Sequence, residues 1–100
     1  MENLFKLRIV TPSKVEYDGD AYMLSVYGIE GSLSILHGHI PFVTPVKEGK
    51  GNLYLQGGKI RHFSSASGLL TVDKTYSVME NVQQRTAVDL AAGNIAFPEL

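Results

Sequence analysis

Two histidines stand two residues apart in His37-Gly38-His39, and a third lies at His62. In an extended segment such a pair could chelate a divalent cation, with His62 or a distant carboxylate as the third ligand that a zinc site needs. Pro41, two residues further on, favours a bend over a flat strand, so the pair alone is a weak metal signal. Glu30, before Gly31, is the one carboxylate next to this segment. General acid or base work needs a paired group and a pocket, and Asp18, Asp20, Glu48 and Asp73 all fall in expected turns. The serines of Ser64-Ser65-Ala66-Ser67-Gly68 lack the Gly-x-Ser-x-Gly elbow of a nucleophile, and Gly57-Gly58 lacks the lysine and following helix of a phosphate loop. No catalytic set emerges, and the residues point to a binding or assembly module.

These residues must be held by short strands. Phe5, Leu7 and Ile9 alternate with Lys6 and Arg8, the period of a half-buried strand, and Thr11-Pro12-Ser13 ends it in a turn. Lys14 to Tyr17 reads as a short strand, Asp18-Gly19-Asp20 as a hairpin turn, and Ala21 to Tyr27 as the next strand, which ends at Gly28. Glu30 to Pro45 reads as a braced loop between two short strands. Gly31 and Gly38 supply unusual backbone angles there, while Leu33, Ile35 and Ile40 to Val43 act as anchors. Leu53 and Leu55 mark a further strand, Gly57-Gly58 a hairpin, and Lys59 to Ser65 the return. Leu69 to Val72 and Tyr76 to Val82 make the last strands, with Asp73-Lys74 turning the chain between them. Thr86 to Ala92 has helix-favouring residues, with Thr86 and Asp89 in capping-box spacing and Gly93-Asn94 as a stop.

Turns every eight to twelve residues without a long amphipathic helix predict an all-β fold. The expected architecture is an antiparallel two-sheet β-sandwich, or flattened barrel, of about eight to ten strands with a short C-terminal helix. One hundred residues make one domain, and 44% hydrophobic residues suffice for its core. A net charge of −1 supplies no field to hold phosphates, so nucleic acid is not the expected partner. The chain has no cysteine, which removes disulfides and thiolate metal sites. No stretch approaches the apolar length of a membrane span and the amino terminus is no signal peptide, so the expectation is a soluble intracellular domain. Such a domain can still sit on a membrane complex through protein contacts.

The set Glu30-Gly31-x-Leu33-x-Ile35-Leu36-x-Gly38-His39-x-Pro41, then Gly49, then Gly68-Leu69-Leu70-x-Val72, resembles the amino-terminal domain of the epsilon subunit of F-type ATP synthase, called delta in mitochondria. The opening Leu7-x-Ile9-Val10-Thr11-Pro12 and Gly19 also fall in place, so the resemblance covers about residues 4 to 85. It implies a non-catalytic rotor subunit in the central stalk, peripheral to the cytoplasmic face of a bacterial plasma membrane. The expected partners are the gamma subunit and the c-ring, with the alpha/beta hexamer reached indirectly and no cofactor of its own. Carried over by position, Thr11, His39 and Thr44 would face gamma, and Glu30, Gly31 and Ser32 would meet the c-ring. Ser32 stands where the family often has an acid, and His37 where it often has proline.

The expected domain spans residues 1–85, with 86–100 as short helix and tail in place of the family's usual regulatory helical hairpin. The alternative is a small β-sandwich metal-binding protein or enzyme using His37, His39 and His62. A carbohydrate module would want an exposed aromatic row, which the absence of tryptophan disfavours.

Overall fold

The computed structural model describes residues 4–77 and 83–98. Ten strands follow in chain order: β1 (Phe5–Val10), β2 (Val15–Ala21), β3 (Met23–Gly28), β4 (Gly31–Leu36), β5 (Phe42–Val46), β6 (Gly49–Tyr54), β7 (Ile60–Ser65), β8 (Gly68–Ser77), β9 (Gln83–Ala92) and β10 (Ile95–Ala96). They form one continuous sheet folded into two layers, β4-β3-β6-β7-β10 and β5-β8-β9-β1-β2. The layers join where Gly28 of β3 pairs with Val46 of β5, and Lys47 N–H extends that seam by donating to the Tyr27 carbonyl at 2.8 Å. The fold is the expected two-layer sandwich, with one departure in pairing. β1 and β9 run parallel, Lys6 opposite Ala87 through Val10 opposite Ala91, while the other pairs are antiparallel.

Alternation decides which face each strand buries. Phe5, Leu7 and Ile9 are fully buried, and Val88, Leu90, Leu70 and Val72 join them from the same layer. Leu24, Val26, Ile35, Leu53 and Phe63 face them from the other layer. Side chains directly opposite on neighbouring strands share a face, so these rows stack into one core between the layers. At Tyr22 the chain passes from one layer to the other. Ala21 pairs with Phe5, Met23 pairs with Leu36 and Tyr54, and Tyr22 at the corner is exposed.

Four expectations are corrected. Thr86 to Ala92 is strand, not helix: Thr86, Val88, Leu90 and Ala92 are buried while Asp89 and Ala91 are exposed, a period of two that β1 and β8 lock by pairing on both sides. Asp18-Gly19-Asp20 is no hairpin turn, because β2 runs through it with Gly19 opposite Leu7. Asp73-Lys74 likewise lies inside β8, opposite Ala87 and Thr86. The Glu30 to Pro45 segment is only partly loop, since Gly31–Leu36 is β4 and only residues 37–41 bridge to β5. Within it Ile35 is buried, but Ile40 (72% exposed) and Val43 (61%) are not anchors. The strand expected over Tyr76 to Val82 falls partly on residues 78–82, which lie outside the described residues. The Gly57-Gly58 hairpin is present as a 3-10 turn, Gln56–Gly58, in which both glycines take positive φ (84° and 81°).

Candidate functional site

Glu30 sits in the tight turn between β3 and β4, with Gly28 opposite Gly31 at its base. Gly31 has φ +119°, a conformation that side-chain-bearing residues rarely adopt, and this lets the chain reverse so sharply. Ser32 follows on β4 opposite Tyr27. The tip of this hairpin is exposed at Ile29, Glu30, Gly31 and Ser32. A depression of about 410 Å³ beneath it is lined by Glu30, Gly31, Ser32, Leu33, Phe42 and Thr44.

Thr44 therefore belongs with Glu30, Gly31 and Ser32. It lies opposite Leu70, which is fully buried, so its side chain turns toward the space between the layers, where it is half-buried. Its hydroxyl donates to the Pro45 carbonyl at 3.2 Å. Thr11 is elsewhere, in the turn from β1 to β2. It accepts from Lys14 N–H (3.4 Å) and donates toward Lys14 O (3.3 Å) and the Glu16 carboxylate (3.4 Å), bonds that brace its own turn.

The bridge from β4 to β5 carries His39. His39 N–H donates to Leu36 O at 3.2 Å, closing a four-residue reversal in which Gly38 takes φ +86°. Gly38 N–H donates to the Thr86 hydroxyl at 2.8 Å, which ties the reversal to β9 in the other layer. The His39 ring lies 4.8 Å from that of Phe42, and its Nδ1 sits 2.8 Å from the Ile40 carbonyl. His62 is engaged on β7, with Nδ1 2.6 Å from Oδ1 of Asn52. Among the described residues no three His, Cys, Asp or Glu side chains group to hold a metal ion, so nothing supports a centre built from His37, His39 and His62. Among the described residues the one perturbed acid is Tyr17, whose hydroxyl donates to the Asp20 carbonyl at 2.6 Å. Burial first, and the Asp20 charge second, raise its pKa above the ordinary 10.0.

A larger feature lies on the outer face of the β5-β8-β9-β1-β2 layer. Pro45 pairs with Leu69, Leu69 with Ala91, Ala91 with Val10, and Val10 with Val15, so five apolar residues form one row across all five strands. Leu69 is 47% exposed and Val15 45%, and Val43 sits beside the row at 61%. At its centre is an apolar hollow of about 500 Å³, lined by Val10, Thr11, Leu69, Ala91 and Gly93 among others. The next row is charged: Asp89 opposite Arg8, Arg8 opposite Asp18, with Lys6 Nζ 3.5 Å from the Asp18 carboxylate. An apolar strip bounded by charge fits a protein partner better than a small molecule. Of this row, sequence reasoning singled out none for binding. The available signal was the doubled apolar pairs, Ile9-Val10, Phe42-Val43 and Leu69-Leu70, which place an apolar residue on both faces of a strand.

Residues 4–78 match the family model of the ATP synthase delta/epsilon chain, beta-sandwich domain. The chain belongs to this family. The ATP synthase epsilon chain of Alkaliphilus oremlandii is 35% identical over 77 residues, which is 77% of this chain and 57% of that protein. The epsilon chain of Brevibacillus brevis is 28% identical over 92 residues, 90% of this chain and 70% of that one. A sodium-ion-specific epsilon chain from Acetobacterium woodii is 30% identical over 79 residues, 79% of this chain and 59% of the relative. The chain thus spans little more than half the length of the first and third of these relatives. Among solved structures, a chain of the Euglena gracilis mitochondrial ATP synthase (OSCP/F1/c-ring) superposes with a TM-score of 0.80 at 16% identity, covering 97% of this chain and 55% of that one. A chain of the Tetrahymena thermophila central stalk and c-ring gives 0.70 at 13% identity, covering 94% and 66%. At such identities the likeness is one of fold, and it takes in nearly the whole of this chain.

Proposed function

We propose that this chain is a non-catalytic central-stalk subunit of an F-type ATP synthase, which links the gamma subunit to the membrane c-ring and so couples ion translocation to ATP synthesis. The observation that carries this reading is the apolar row from Pro45 to Val15. It crosses all five strands of its layer, and Thr11 lines the apolar hollow at its centre. Gamma docks on this face, with Thr11 at one end of the layer, and reaches His39 around the other end, where Gly38 is bonded to the inward-facing Thr86. Thr44, turned inward between them, supports the contact through the shape of the Phe42 strand. The c-ring meets the β3–β4 hairpin tip at Glu30, Gly31 and Ser32, where a short polar turn can rest on polar loops. A rotor part must be stiff between two grips, and two layers sharing one core supply that stiffness. Assembly then holds the chain at the cytoplasmic face of a bacterial plasma membrane through protein contacts alone, without a cofactor.

The test is binding of the purified chain to its cognate gamma subunit, with ATP synthesis by membranes carrying the variants as second readout. Saturable one-to-one binding that is lost in Leu69→Asp, together with loss of ATP synthesis, is expected. No binding by the folded wild-type chain would overturn the reading.

A further inference from the structure

Thr86 is one of two buried polar side chains in the described structure, 2% exposed, the other being Ser65. It stands on β9, opposite Lys74 of β8, in the inward-facing row that also holds Val88 and Leu90. Its hydroxyl receives Gly38 N–H at 2.8 Å, a bond between residues 48 apart in sequence and in opposite layers. Thr86 lies beyond the residues 4–78 that the family model matches. Gly38 has φ +86° and nothing within 4 Å of where a Cβ would stand, so the reversal is not wedged by packing at that point. What fixes it is its own Leu36–His39 bond and the bond to Thr86. His39 is the next residue, and its ring packs against Phe42 with centroids 4.8 Å apart.

We propose that Thr86 is a positioning residue for gamma recognition: its buried hydroxyl sets the His37-Gly38-His39 reversal in the geometry that presents His39 to the partner. This rests on the reading above that His39 faces gamma. The physical basis is asymmetric. With the hydroxyl gone, a part-buried N–H loses its acceptor and regains one only by swinging the reversal outward to water. Binding must then reorder the loop at its own cost. In wild type that ordering is done during folding.

The test uses the whole chain and its gamma subunit. Thr86→Val keeps the shape and removes the acceptor, while Thr86→Ser keeps the acceptor. Ser65→Ala, on β7 in the other layer, controls for general loss of stability. Thr86→Val is expected to speed hydrogen exchange at the Gly38 amide and weaken gamma binding about tenfold, the equilibrium equivalent of one such hydrogen bond. Thr86→Ser should stay within about twofold of wild type, and Ser65→Ala should lower the melting temperature without changing affinity. Wild-type affinity in Thr86→Val with a fast-exchanging Gly38 amide would sink the inference. Should Thr86→Val not fold, Thr86→Cys, a weaker acceptor of similar size, takes its place, and equal affinity of the Cys and Ser variants is the overturning result. His39→Glu separates the two failures: if it too leaves binding intact, the assignment of His39 to gamma is at fault, and if it abolishes binding while Thr86→Val does not, the positioning role is.

Discussion

The ring of Phe63 on β7 reaches over its strand partner Gly51 on β6, so that its Cζ and Cε1 atoms occupy the space where a side chain at Gly51 would begin. A Cβ there would strike the Phe63 ring and come within 2.8 Å of the Ser25 carbonyl on β3. The glycine is thus a packing requirement of the core, since Phe63 is 2% exposed and cannot retreat.

Gly51→Ala should cost about 1–3 kcal/mol by overpacking. Urea denaturation followed by far-ultraviolet circular dichroism reads the loss as a lower midpoint at unchanged slope. A midpoint equal to wild type would mean that the Phe63 ring has another place to go.

Leu69→Asp should leave stability within about 0.5 kcal/mol of wild type, because the side chain is 47% exposed and borders solvent. Gamma binding, measured by calorimetry, should weaken at least about tenfold, since a charge is forced into the middle of an apolar contact. Ile60→Asp supplies the control. Ile60 is equally exposed, at 48%, but lies on the opposite layer, and its substitution should leave the affinity unchanged.

The Tyr17 hydroxyl gives an alkaline signature. Its folded pKa is raised above the ordinary 10.0, so the native state holds this proton more tightly than the unfolded chain does. The stabilisation is complete below pH 10 and falls away as pH rises from there through the native pKa. Tyr17→Phe removes the titrating group and should flatten the fall of stability above pH 10, seen in guanidinium midpoints measured along a pH series.

His37→Pro should stabilise the chain by about 0.4–1 kcal/mol, mainly by restricting the unfolded state. The reversal closes between Leu36 and His39, and Gly38 takes φ +86° at its third position. Proline suits the second position of such a turn, and the turn's own bond makes no use of that residue's N–H. A fall in melting temperature would show that His37 needs its amide or a different φ.

Much of the sandwich is written in local alternation. Phe5, Leu7 and Ile9, or Leu53 against Asn52 and Tyr54, announce strands with one wet face, and the burial of each follows. The failures share one cause, which is pairing to a distant strand. Asp18-Gly19 has the composition of a tight turn, but Leu7 across the ladder holds it extended. Ala87, Leu90, Ala91 and Ala92 favour helix by propensity, yet β1 and β8 on either side impose a strand, and the Thr86, Val88, Leu90, Ala92 alternation was the local sign. Of the candidate site, Glu30 to Ser32 was reached only through the family resemblance, since the residues alone read as loop where Gly31–Leu36 is strand. The direction of Thr44 and the continuity of the Pro45 to Val15 row were not legible, because both depend on register between strands remote in sequence.

The parallel neighbours β1 and β9 also bear on how the polypeptide is made. Phe5–Val10 is synthesised well before one of its two ladder partners, Gln83–Ala92. Its layer stays open until then, however well the hairpins between them have formed, and closing so large a loop is entropically slow. Completion of the sandwich therefore waits on Gln83–Ala92, and the bare edges of the waiting strands are what a chaperone would have to shield in the interval.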